Sequence, residues 1–255
     1  MTTRPRNPGE FCWINILTPR PAEAQAFFSA LLGWTYAPIP GMGHRIQVAG
    51  RDVGGMFDLE GPQTPPGTMA GNGVMVRVVS ADATAARANE LGGRGAAAFD
   101  IGPTGRMAEC YDPGTANFDL WQPRAEGGTD VDETLPGAPS WFELMSPDTA
   151  RAQTFYEKLF GWTAESFPGQ ETPYTTFKLG ERMVAGMMAI TPEMGAVPPH
   201  WAVYFTVTDA DATARAAEKL GAELYVPVAD APGVGRFCGI KSPQGVHFMV
   251  MQYSS

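Results

Sequence analysis

Apolar positions along this chain fall into two rhythms that alternate four times. WINILT, from Trp13, and WFELMS, from Trp141, read as strands with one face toward an interior. Behind each comes a helical rhythm. Phe27, Phe28, Leu31 and Leu32 share one face, as do Phe155, Tyr156, Leu159 and Phe160. Pro21 suits the first turn of the earlier helix and Gly33 its end; Asp148 suits the cap of the later one and Gly161 its end. Two further helices are expected near 83–91 and 212–220, with Asp82 and Asp211 at their starts and Gly92 and Gly221 just past their ends. About three short strands should follow each helix. In the last of them, Phe248 and Val250 point one way, and His247, Met249 and Met251 the other. One face would pack under a helix and the other would line a concave sheet.

The rhythm repeats because the sequence does. WINILTPRPAEAQAFFSALLGWT, from Trp13, aligns without a gap on WFELMSPDTARAQTFYEKLFGWT, from Trp141, with about ten of 23 positions identical. VVSADATAARANELGG faces VTDADATARAAEKLGA, and GRMAECYDPGTANFDLWQ faces GRFCGIKSPQGVHFMVMQ. The chain therefore divides into a domain at 8–123, a polar linker rich in Gly, Pro and acid at 124–139, and a second domain at 140–253. Each domain is itself two βαβββ units, an α+β arrangement.

With 255 residues and 44% hydrophobic content there is enough apolar material for two ordinary domains. A net charge of -9 repels phosphate backbones and argues against a nucleic-acid partner. No run approaches the length of a membrane span, and MTTRPRNPGE carries no apolar stretch behind its charged start, so a cytoplasmic protein is expected. Cys12, Cys110 and Cys238 are odd in number and form no CxxC; they read as reduced, buried small hydrophobes. The GxSxG elbow, HExxH, the phosphate loop and the dinucleotide fingerprint are all missing from the sequence. Arg106 and Arg236 recur at matched GR pairs, where a turn-stabilising salt bridge is expected.

The signature WxEL…FYxxLFGW at Trp141–Trp162, its partner at Trp13–Trp34, and the closing strands DPGTANFDLWQ and SPQGVHFMVMQ resemble the vicinal oxygen chelate superfamily of glyoxalases, bleomycin-resistance proteins and extradiol dioxygenases. The resemblance covers nearly the whole chain, twice. It implies tandem glyoxalase-like domains with curved mixed sheets. In members with chemistry, the resemblance implies one divalent metal inside the concave sheet, held from the first, fifth and last strands. Those positions here are Asn15, about Gly73 and Asp119 in the first domain, and Glu143, about Ala202 and Met249 in the second. Neither set offers the family's His, Gln or Glu trio, so no metal or other cofactor is expected. The alternative, a divalent ion, would draw on Glu143, His200 and His247.

Glu143 poses the sharpest question, because a buried unpaired carboxylate costs several kcal/mol and needs a metal, a donor or water. Trp13, Trp121, Trp141 and Trp201, with Met75, Met145, Met249 and Met251, offer an adaptable apolar lining; Asn15 and Asp119 offer polar orientation. The reading that follows is a protein, monomer or homodimer, that binds a small hydrophobic or aromatic molecule without a full metal site. The alternative is a glyoxalase-like lyase or isomerase, or a dioxygenase-like enzyme, with Glu143 as base or metal ligand and His200 or His247 assisting. A third arrangement keeps a site in one domain only.

Overall fold

The computed structural model describes residues 5–61, 68–124, 131–167 and 173–254. The first half runs β1 (Phe11–Thr18), α1 (Pro21–Leu32), β2 (Thr35–Ile39), β3 (Gly43–Val48), β4 (Arg51–Asp58), β5 (Gly71–Arg77), α2 (Ala81–Glu90), β6 (Arg94–Gly95), β7 (Phe99–Ile101), β8 (Gly105–Tyr111) and β9 (Asn117–Pro123). The second half runs β10 (Pro139–Ser146), α3 (Thr149–Phe160), β11 (Thr163–Ser166), β12 (Tyr174–Leu179), β13 (Arg182–Ala189), β14 (His200–Thr206), α4 (Ala210–Lys219), β15 (Glu223–Ala231), β16 (Gly235–Lys241) and β17 (His247–Tyr253). Of the segment read as a linker, residues 125–130 lie outside the described residues.

The strands form two mixed sheets of the same topology. One has the order β2-β3-β4-β1-β5-β9-β8-β6, with β7 on β8; the other has β11-β12-β13-β10-β14-β17-β16-β15. Each sheet is thus two βαβββ units joined edge to edge through their first strands, β1 to β5 and β10 to β14, both antiparallel. α1 and α3 end where expected, on Gly33 (φ 70°) and Gly161 (φ 72°), a left-handed conformation that glycine adopts without strain. The caps of α2 and α4 differ from expectation. Ser80 and Asp209 accept the N–H groups of Ala83 and Ala212, so each helix begins earlier. Asp82 and Asp211 are freed to pair with Arg106 (2.9 Å) and Arg236 (2.6 Å), matched salt bridges across the repeat. No described helix is long and apolar enough to cross a membrane.

The helix-bearing faces of the two sheets meet, and one continuous core fills the space between them, from Phe11 through Tyr156 to Val250. α1 carries Phe28 onto Phe248 of the opposite sheet (5.2 Å between ring centres), and α3 carries Tyr156 onto Phe118 (5.7 Å). The repeat interlocks through two equivalent tryptophans. Trp34 donates its indole N–H to the carbonyl of Gly137, and Trp162 donates to that of Gly9, each at 2.8 Å and each across the seam. A buried indole N–H needs such a partner. The three cysteines are buried thiols, and burial pushes Cys12 and Cys110 up to about 12 and Cys238 to about 11, so none is poised as a nucleophile.

Candidate functional site

With the helix-side faces buried against each other, the opposite face of each sheet forms a trough. Strand register identifies what lines it. In the first sheet one row crosses four strands: Trp13 beside Met75, Met75 beside Asp119, Asp119 beside Glu109. In the second the equivalent row is Trp141, Tyr204, Met249 and Gly239. The same scaffold position holds Asp119 in one half and Met249 in the other, and the two troughs have different chemistry.

The second trough is filled by its own side chains. Tyr204 donates to Glu143 Oε1 at 2.9 Å, and the Tyr174 hydroxyl makes a second hydrogen bond to the same carboxylate. Trp141 Nε1 in turn donates to Tyr174 at 2.8 Å. Burial pushes the Glu143 carboxyl above its usual range, and the two phenols hold it back. Gly186 makes room for this arrangement, since a Cβ there would overlap the Tyr174 hydroxyl. Tyr225, from β15, lies over Gly239 and brings its hydroxyl to 3.0 Å from Met249 Sδ. Ala202, Tyr204, Met249 and Met251 form a small core of their own, with Trp141 packed on it. The Glu143 carboxylate is therefore satisfied by two tyrosines. Replacing Tyr204 with Phe should cost about 1–3 kcal/mol in denaturant unfolding at pH 7, because one donor to a buried carboxylate disappears; an unchanged midpoint would contradict this network.

Among the described residues the first trough has no counterpart of Tyr225 or of the Glu143–tyrosine contacts. Asp119 is 9% exposed, and no described side chain hydrogen-bonds or ion-pairs with its carboxylate. Burial, and then the neighbouring charge of Glu109, push it up to about 7. Where long β15 supplies Tyr225 in the second half, the first has only the two-residue β6 and the separate β7. Trp13 and Trp121 are partly exposed, and Glu109 is exposed. Asn15 accepts the Trp13 indole N–H at 3.1 Å. Glu109 accepts from Tyr111 at 2.9 Å, and the Arg94 guanidinium lies 4.0 Å from the centre of the Tyr111 ring.

Several expected site residues stand elsewhere. Trp201 does not line a trough. It is one residue out of step with Ala202 and Tyr204, so strand alternation sends it to the helix side, where its N–H donates to Tyr156 at 3.0 Å. Trp141 and Met249 are packed into the filled second trough rather than lining an open hollow. Met145 is buried opposite His200 on the neighbouring strand. His200 and His247 do not join Glu143. His200 Nδ1 lies 2.8 Å from the Pro198 carbonyl, and His247 is exposed with its ring against Tyr225. Burial depresses both imidazoles, and Lys241 adds to the effect at His247. Glu109 and Tyr111 were missed from the sequence, as were the tyrosines over Glu143. Alternation along β14 already placed Tyr204 on the face of Ala202.

These donor sets do not fit a catalytic divalent ion, which takes about three protein ligands and keeps a position open. The carried-over positions supply Asn15, already bonded to Trp13, and Asp119 in one trough, and tyrosine-bound Glu143 with a thioether in the other. Among the described residues no three His, Cys, Asp or Glu side chains converge. A cleft of about 560 Å³ opens elsewhere, between the N-terminal segment and the second sheet, lined by Arg6, Glu10, Phe142, Arg182 and Tyr253 among others. Its charges are matched: Arg182 reaches Glu133 at 2.6 Å and Glu10 at 3.4 Å, and Arg6 reaches Glu133 at 3.2 Å. Neither Asp119 nor Glu143 lines it.

Comparison with known proteins agrees with this architecture. The model of the Glyoxalase/Bleomycin resistance protein/Dioxygenase superfamily matches residues 138–250. Over 250 residues the chain is 37% identical to "Putative glyoxylase CFP32" of Mycobacterium tuberculosis, covering 94% of this chain and 93% of that one. It is 30% identical over 260 residues to the anthracycline biosynthesis protein DnrV of Streptomyces peucetius, covering 96% and 94%. Among solved structures, the Mn(II)-bound glyoxalase of Novosphingobium aromaticivorans superposes with a TM-score of 0.65 at 16% identity, over 97% of this chain and 83% of that one. Homoprotocatechuate 2,3-dioxygenase of Brevibacterium fuscum, in its substrate complex, gives 0.65 at 13%, over 99% and 82%. Two matched sheets of paired βαβββ units, and whole-length relatives, lead to one conclusion: this chain belongs to the glyoxalase, bleomycin-resistance and dioxygenase superfamily, the vicinal oxygen chelate fold.

Proposed function

We propose that this protein binds one flat, apolar or aromatic small molecule in the trough of the first sheet, with no metal in the site. The observation that carries this reading is Asp119, a carboxyl only 9% exposed that has no hydrogen bond or ion pair among the described residues and stands in a row with Met75 and Trp13. A carboxyl so nearly buried, beside partly exposed indoles, suggests a partner that arrives from outside. The relative named for anthracycline biosynthesis supports a polycyclic aromatic occupant. The second sheet, with Glu143 held by tyrosines, acts in this reading as a structural copy.

A second reading, a lyase or isomerase, is favoured by the same side chain. A carboxyl held at about 7 is suited to give or take a proton near neutrality. Asp119, rather than Glu143, would then be the acid or base.

Titration with a hydroxyanthraquinone, followed by quenching of tryptophan fluorescence, tests the binding site. Trp121→Ala is expected to weaken binding by about 10- to 100-fold, the range for losing one buried aromatic contact. Met249→Leu in the second trough should leave it unchanged. Binding that ignores Trp121 and fails in the Met249 variant would place the site in the wrong half. Turnover of any ligand that is lost in Asp119→Asn would favour the enzyme.

A further inference from the structure

We propose that the molecule taken by the first trough carries a cationic amine beside its aromatic body, with the nitrogen seated between Asp119 and Glu109. This rests on the trough being the binding site, and it goes further in naming the ligand's charge.

Asp119 and Glu109 are directly opposite each other on β9 and β8. Two carboxyls in that position repel each other, and cross-strand like charges ordinarily destabilise a sheet unless something lies between them. Among the described residues no cation pairs with Asp119. Arg94 is spent on the Tyr111 ring at 4.0 Å, and Tyr111 donates a hydroxyl hydrogen bond to Glu109. Arg106, on the same strand as Glu109, is held by Asp82 and Asp100 at 2.9 and 2.8 Å. Arg77 stands two residues along β5 from Met75, beside Trp121, and makes no ion pair with Asp119. Cys110, the remaining titratable neighbour on β8, is a buried thiol.

The surroundings suit an amine in two further ways. Trp121 stands two residues along β9 from Asp119 and Trp13 two strands away across Met75, on the same face, and indole faces attract cations as well as flat rings. The second half has lost the same feature at every point: Met249 replaces Asp119, Gly239 replaces Glu109, and Tyr225 covers the space between. Among the described residues the acidic pair occurs where no tyrosine covers the row, and it is absent where Tyr225 does.

The test compares 9-(aminomethyl)anthracene with its N-acetyl derivative, which keeps the rings and removes the charge. Both are titrated by fluorescence at pH 8 against the whole protein, Asp119→Asn and Glu109→Gln, with each variant's thermal melt recorded to show that it folds. The amine is expected to bind at least tenfold more tightly than the amide. The amine's affinity should fall toward the amide's in Asp119→Asn, fall part of the way in Glu109→Gln, and weaken with added salt. Because the amine holds Asp119 ionised, the preference should also fall as pH drops from 8 to 6. Equal affinity for the two probes, with both lost in Trp121→Ala, would overturn the amine assignment and leave the trough standing. A preference that survives Asp119→Asn, or that requires added Mn²⁺ and disappears with EDTA, would overturn it as well. Failure of both probes to bind would overturn the trough and the amine together.

Discussion

Replacing Asp119 with Asn is expected to leave the melting temperature almost unchanged at pH 4 and to raise it by roughly 10 °C at pH 8. The argument is one of linkage. Asp119 titrates at about 7 in the folded protein and near the ordinary carboxylate value in the unfolded chain. A carboxyl whose folded pKa is raised favours folding fully only below its unfolded pKa. The advantage drains away as pH rises from there to about 7, and above that the folded protein carries an ionised Asp119 with no partner among the described residues. The difference amounts to about 4 kcal/mol at most. Asparagine has nearly the same shape and cannot ionise, so its benefit should grow through this window and level off above it. Melts recorded from pH 4 to pH 8 check this. A benefit that is flat with pH, or largest in acid, would mean that Asp119 has a partner in the folded protein.

Trp34→Ala should be the most damaging of the seam substitutions, at about 3–5 kcal/mol. It removes a fully buried ring that stacks on Phe28 (4.7 Å) and meets Phe205 of the other sheet edge-on (5.0 Å). It also leaves the Gly137 carbonyl without its indole donor. Because the core is continuous across the two halves, the loss should be felt by both, and unfolding should remain a single transition at a lower midpoint. Far-ultraviolet and near-ultraviolet circular dichroism, followed through the same denaturant series, check this. Two separated transitions, with only the earlier one shifted, would show halves that fold independently.

The fold was legible because it is written twice. Ten shared positions between Trp13 and Trp141 give the repeat, and helical spacing ending on Gly33 and Gly161 gives the elements their bounds. The crossing of the seam was not legible. Nothing local says that Phe28 will lie on Phe248, or that Trp34 will reach Gly137, since both depend on how two similar units pack. Helix starts slipped for a local reason: in SADAT and DADAT the first polar residue caps, and the following Asp turns outward to an arginine.

The site divides in the same way. Alternation along FDLW turns Asp119 to the side of Trp121 and Asn117, and the register sets Asp119 in a row with Met75 and Trp13. The same alternation, applied to β14, excludes Trp201 and includes Tyr204. What satisfies Glu143 could not be read, because Tyr174 arrives from β12 through a register that only the assembled sheet defines. The solitude of Asp119 could not be read either. A missing partner leaves no mark in the sequence until every neighbour is in place.

The most direct test of this account is a carbon-13 NMR titration of side-chain carboxyls, with the Asp119 resonance identified by its absence in Asp119→Asn. The account predicts a midpoint at about 7 in the unliganded protein, moving lower when an amine occupies the trough. A midpoint in the ordinary carboxylate range would mean that the protein already satisfies Asp119, and the reason for placing a ligand there would be gone.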